Sequence, residues 1–137
     1  MEGKAGAAAR YRSWLRGGDI AIFADVHVKH GAHAIVADRT LAELTRDAEF
    51  FDADAVIVTG QRTGDSANLA ELETVKRATS LPVMVGSGVT PDNVTDIFGY
   101  ADAVIVASAL KHGGSWWNAV DPVRLNAFMS VVEQARA

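Results

Sequence analysis

The hexapeptide Ala-Asp-Ala-Val-Ile-Val occurs twice, at Ala53–Val58 and again at Ala101–Val106. Each copy is a short, continuously apolar run entered from a helix-patterned segment. Such runs suit strands buried on both faces, as in a parallel sheet. Parallel neighbours cannot be joined by a tight hairpin; they need a crossover of a dozen or more residues, usually a helix. The repeat therefore restricts the chain to βα units. Two further apolar runs, Asp19–Val28 and Pro82–Val85, alternate with helical patterns in the same way. Four strands alternating with helices predict an α/β fold with a parallel sheet and right-handed crossovers.

Read in order, Gly3–Arg16 is alanine-rich and helix-prone, with Tyr11, Trp14 and Leu15 as its packing residues, and Gly17–Gly18 stops it. The first strand follows, then a His30–Arg39 loop that is long for a βα connection. Thr40 and Glu43 form a capping box for a helix that turns Leu41, Leu44, Ala48 and Phe51 to one side. The second strand is Asp54–Thr59, followed by the polar loop Gly60–Ser66. Leu69, Leu72 and Val75 mark the next helix, which ends near Ser80. After the third strand come Gly86–Ser87–Gly88 and Thr90–Pro91, the latter an N-cap with proline at the first helical position. That short helix finishes near Gly99. Asp102–Val106 is the fourth strand, and the last helix spaces Leu125, Phe128, Met129 and Val132 helically.

Composition removes several functions. The net charge of −4 disfavours broad nucleic-acid or acidic-membrane binding. There is no cysteine, which excludes disulfides, thiolate catalysis and cysteine-based zinc sites and fits a cytoplasmic setting. No apolar run approaches the ~20 residues that span a bilayer.

The stretch Ala24–His30 carries the densest chemistry. Side chains alternate along a strand, so Ile20, Ile22, Ala24, Val26 and Val28 share one face, and Ala21, Phe23, Asp25, His27 and Lys29 the other. The second face is apolar at its start and ionisable at its end. Parallel α/β sheets place ligands at the carboxyl ends of their strands. Asp25 is then a base or orienter, His27 an acid or base near neutral pH, and Lys29 an anion binder or amine nucleophile. An inward structural ion cluster is the alternative, at the expense of burying three ionisable groups. Asp25, His27, His30 and His33 also offer metal ligands within a short span, but no metal-site signature accompanies them and no metal is assigned. No cofactor is legible.

Glu2–Ala5, Arg10–Arg12, ADVHVKH, DAVIVTG with Thr63–Gly64, PVMVGSGVTPDNV, DAVIVAS, Lys111, Gly114 and Val120–Pro122 together resemble the BtpA/SgcQ family, in order and over essentially the whole chain. The resemblance implies a TIM-barrel-like fold related to ribulose-phosphate-binding barrels. Family members are about twice this long, in keeping with the ~250 residues of a TIM barrel. The expectation is a single truncated TIM-barrel-like domain over residues 1–137, the C-terminal half of a (β/α)8 barrel carrying strands five to eight. Half a barrel leaves two strand edges and its inner face uncovered. Self-association or an N-terminal half-barrel partner is expected, or else a truncated product of low stability.

Within that fold, Gly86, Ser87 and Gly88, with Ser108 after the next strand, are placed to bind phosphate through backbone N–H groups and hydroxyls. A tight strand-to-helix turn is the plainer reading of the same glycines. Ala107 stands where the family usually has glycine, and its methyl group can crowd a phosphate. Thr59 sits at the level of Asp25, His27 and Lys29, in a polar strand-end loop with Arg62 and Asp65. Trp116–Trp117 either walls a pocket or stacks on a base, or else packs a long loop against the barrel. The function expected is that of an enzyme or enzyme-like protein acting on a small phosphorylated metabolite, with nucleotide-derived compounds among the candidates. The alternatives are a non-catalytic assembly or stability factor, as the photosystem I association of cyanobacterial relatives suggests, and an inactive truncated barrel.

Overall fold

The computed structural model describes residues 4–28, 31, 33–60 and 68–136. Its elements are α1 (Ala5–Trp14), β1 (Phe23–Asp25), α2 (Leu41–Phe50), β2 (Ala55–Thr59), α3 (Leu69–Ala78), β3 (Val83–Gly86), α4 (Val94–Phe98), β4 (Ala103–Ile105) and α5 (Pro122–Ala135). The four strands form one sheet in the order β1-β2-β3-β4, and every pairing is parallel. The fold is the expected α/β arrangement of parallel strands alternating with helices.

Register explains which face is core. Ala24, Val56 and Val83 are in register, and Val58, Val85 and Val104 follow one repeat further along. These residues point to the helical side. Val56, Val58, Val83 and Val85 are fully buried there with Leu72 and Val75 of α3, Val94 and Ile97 of α4, and Phe128 and Val132 of α5. The opposite face carries Phe23, Asp25, Ile57, Thr59, Met84, Gly86 and Ile105. Among the described residues no helix covers it, and Phe23 and Ile105 remain 53% and 46% exposed. The alternation read from Ile20–Lys29 thus holds where the strand exists: Val26 packs against the core while Asp25 faces outward.

The sequence repeat has a structural cause. Asp102 N–H donates to Val83 O at 2.8 Å, and Val83 N–H returns a bond to Asp102 Oδ2 at 2.8 Å. Asp54 does the same to the preceding strand, with Asp54 N–H on Ile22 O at 2.8 Å and Ile22 N–H on Asp54 Oδ2 at 2.7 Å. Each aspartate staples the start of its neighbour strand and takes a cation, Lys76 at 2.8 Å for Asp102 and Arg12 at 3.4 Å for Asp54. The repeat therefore secures the amino ends of the strands, opposite the candidate site.

Four local expectations are corrected. The ladder of β1 is confined to Phe23–Asp25 rather than Asp19–Val28, because an edge strand pairs on one side alone. Tyr11, Trp14 and Leu15 are 59%, 77% and 55% exposed, because α1 buries no residue and is held through Arg12 to Ile20 O and Asp54. Phe51 lies beyond the end of α2, where Asp52 turns the chain at φ 62°, and it packs edge-on against Phe50 instead of the core. Asn93, not Thr90, precedes α4, and its side chain bonds back to Thr90 N–H. The capping box of Thr40 and Glu43 is present, and the hydrogen bonds that Thr40 N–H and Oγ1 donate hold the Glu43 carboxyl below its usual range. Among the described residues, no helix is long and apolar enough to cross a membrane.

Candidate functional site

The carboxyl ends of β3 and β4 enclose a cavity of about 750 Å3 lined by Ser87–Thr90, Ile105–Ala109, Gly114 and Trp116. Among the described residues, no acidic or basic side chain lines it. Its polar lining is backbone plus the hydroxyls of Ser87, Thr90 and Ser108.

The turn after β3 is locally forced. Ser87 and Gly88 both adopt left-handed backbone, at φ 73° and 68°. Glycine reaches this region freely, whereas a serine there is uncommon and costs energy. Strained residues persist where the surroundings over-determine them, often at ligand sites. Here Asn93 supplies the determination: its Nδ2 donates to Gly88 O at 2.9 Å and its Oδ1 accepts from Thr90 N–H at 2.8 Å. Gly86 is required for packing: a Cβ would lie 3.3 Å from methyl carbons of both Ile57 and Thr59.

The far wall is the loop after β4. Lys111 and Val120 form an antiparallel bridge, and Asn118 Nδ2 donates to His112 O at 2.8 Å. Lys111 Nζ donates to Trp116 O, so this family-motif lysine serves the loop. Trp116 and Trp117 stack with centroids 3.6 Å apart. Both are exposed rather than packed on the sheet, so Trp116 is a cavity wall. From α5, Arg124 Nη1 donates to Ala109 O at 3.3 Å and passes close to Gly114, placing a guanidinium beside the rim. Ala107 has φ −128°, outside the left-handed region, so its backbone does not need glycine; its methyl group nonetheless stands in the cavity lining.

The structure brings together some of the expected residues and separates others. Gly88, Ser87 and Ser108 line one cavity; Gly86 is not part of that lining but ends the strand leading into it, in register with Thr59. Thr59 is one strand over from Gly86, roughly 5 Å across the sheet at ordinary strand spacing. Its Oγ1 donates to His27 O at 3.5 Å. Asp25 shares the open face but lies two strands away from Gly86 and two residues short of it, roughly 12 Å by the same spacings. His27 lines a second cavity of about 520 Å3 with Ala34, Arg39, Leu41, Glu71 and Thr74. Lys29, His30, Arg62, Thr63, Gly64 and Asp65 lie outside the described residues, as does the side chain of His33. Among the described residues, no group of three or more acidic, histidine or cysteine side chains could hold a metal.

Asn93 and Arg124 are the residues that sequence reasoning missed. The Thr-Pro-Asp-Asn string drew attention to Thr90 as a cap. The signal for Asn93 was its amide, which can bond the backbone three residues back while donating to another carbonyl. Arg124 carries no sequence signal, because its partner Ala109 is a backbone carbonyl.

Fold and cavity together define an α/β protein of the TIM-barrel-like kind with a strand-end pocket. The BtpA family model matches residues 1–134, and the chain belongs to the BtpA family. It is 42% identical over 132 residues to an uncharacterized mitochondrial protein of Caenorhabditis elegans, covering 96% of this chain and 47% of that one. The photosystem I biogenesis protein BtpA of Synechocystis is 39% identical over 135 residues, 98% of this chain and 46% of its own. An uncharacterized protein of Pyrococcus horikoshii is 40% identical over 136 residues, 99% and 51%. The chain thus spans about half the length of these curated relatives. Among solved structures, thiamine phosphate pyrophosphorylase from Pyrococcus furiosus matches with a TM-score of 0.55 at 17% identity, over 100% of this chain and 83% of that one. That likeness concerns the fold.

Proposed function

We propose that the pocket between β3 and β4 binds the phosphate of a small metabolite, held by Gly86, Ser87, Gly88 and Ser108. The observation that carries this reading is the Asn93-pinned, left-handed Ser87–Gly88 turn facing Ser108 across one cavity. Close backbone approach and neutral donors suit an anion, and parallel barrels use their last two strand ends in this way. Thr59, the nearest of the candidate catalytic residues, faces the bound compound, and Asp25, His27 and Lys29 serve the reacting end of a compound long enough to extend from this pocket past Thr59 to the end of β1. On this reading the chain is a cytoplasmic, enzyme-like barrel module, one domain over residues 1–137.

The uncovered inner face supports a further element of the proposal. Phe23 and Ile105 are exposed on it, and β1 and β4 end the sheet with unpaired edges among the described strands. A second copy or an N-terminal half-barrel covers that face. The Synechocystis relative, a photosystem I biogenesis protein, favours a second reading, an assembly factor without catalysis. Titrating sugar phosphates and nucleotides into the wild type and Gly88→Asp tests the pocket. Selective loss of binding in the variant supports it, and equal behaviour of the two proteins removes it. Loss of turnover in Asp25→Asn or His27→Ala, with folding intact, separates enzyme from assembly factor.

A further inference from the structure

We propose that the ligand of this pocket carries a planar ring beside its phosphate, and that the ring lies on the indole of Trp116. The inference rests on the phosphate reading and names the class of compound that the same cavity takes. A volume of about 750 Å3 falls within the ~300–1,000 Å3 of small-molecule sites, which accommodates a ring together with a phosphate.

Trp116 lines this cavity on the side across from the Ser87–Thr90 turn's own strand. One of its faces is stacked on Trp117, at 3.6 Å between centroids with 28° between the planes. Yet Trp116 is 54% exposed, so its remaining surface is not consumed by the protein core. Leaving so much indole in water is unfavourable, and a planar partner would remove it from solvent.

The loop backbone that carries the ring is also braced in advance of binding. Lys111 Nζ ties the Trp116 carbonyl. His112 N–H donates to Ala119 O at 3.1 Å, closing the loop on the other side. Asn118 N–H reaches back to Ser115 O at 3.1 Å, bracketing the tryptophan pair. Pre-ordering an aromatic wall reduces the entropy lost when a ligand stacks on it. An aliphatic sugar phosphate gains nothing comparable from this wall, whereas a heteroaromatic or aryl phosphate does.

Isothermal titration with inorganic phosphate, glycerol 3-phosphate and phenyl phosphate tests the inference. Wild type should bind phenyl phosphate at least about five-fold more tightly than glycerol 3-phosphate, the low end of what base–aromatic stacking supplies. Trp116→Ala should abolish that preference, bringing the two esters to equal affinity, and Trp116→Phe should retain most of it. Equal binding of the two esters by the wild type, or an unchanged preference in Trp116→Ala, overturns the ring assignment and leaves the phosphate site standing. If none of the three compounds binds, or Gly88→Asp binds all of them as the wild type does, the phosphate reading fails and the ring assignment falls with it.

Discussion

Replacing Asp102 with alanine should destabilise the fold by about 2–3 kcal/mol, most of it from a buried donor left without an acceptor. Val83 is fully buried, and its N–H bonds the Asp102 carboxylate at 2.8 Å. Stranding such a group costs ~1–3 kcal/mol. The ion pair with Lys76 adds little, at most about 1 kcal/mol, because both side chains are nearly half exposed. Asp102→Asn keeps a carbonyl oxygen for Val83 N–H and should lose about 1 kcal/mol or less. The equivalent Asp54→Ala should cost about 1 kcal/mol, since its staple grips the half-exposed start of an edge strand and Arg12 stands farther off. The hydrogen bond from Lys76, and next that from Val83, hold the Asp102 carboxyl below its usual 3.8. A depressed folded pKa stabilises above the unfolded value and is lost as pH falls through the folded one. The difference between wild type and Asp102→Asn should therefore be constant from neutrality to about pH 5 and shrink below about pH 4. Urea unfolding followed by circular dichroism at several pH values measures all of this. Equal midpoints for Asp102→Ala and Asp102→Asn, or a difference that grows on acidification, would refute the reasoning.

Asn93→Ala removes both bonds that pin the Ser87–Gly88 turn; it should cost about 1–2 kcal/mol in urea unfolding and weaken phosphate-ester binding in calorimetry. Gly86→Ala forces a methyl against Ile57 and Thr59 and should destabilise by about 1–3 kcal/mol, read by the thermal midpoint. Phe23→Lys and Ile105→Lys place charge on the uncovered face; the isolated chain should change by no more than about 0.5 kcal/mol, while sedimentation should show weaker self-association or weaker capture of a half-barrel partner.

How far the fold was legible follows from where burial is complete. The DAVIV runs and the helices around Leu72, Val75, Phe128 and Val132 announced themselves because a two-layer core requires those patterns. Tyr11 and Trp14 looked like packing residues for the same reason, yet no described element stands over α1. The glycine-rich turn was legible as a site because Gly86 and Gly88 answer to two different demands, close packing and left-handed backbone. Asn93 and Arg124 escaped notice because their work is done on backbone carbonyls, which leave no trace in side-chain patterning. His27 could be assigned to a face from alternation alone, but not to a cavity, since the segment after β1 decides where its ring goes.

Amide chemical shifts report most directly on whether the two strand ends act as one anion site. In a titration of the 15N-labelled chain with phenyl phosphate, the account predicts saturable shifts concentrated at Ser87–Thr90 and Ala107–Ala109, absent in Gly88→Asp. Shifts confined to other surfaces, or saturation identical in the variant, would contradict it.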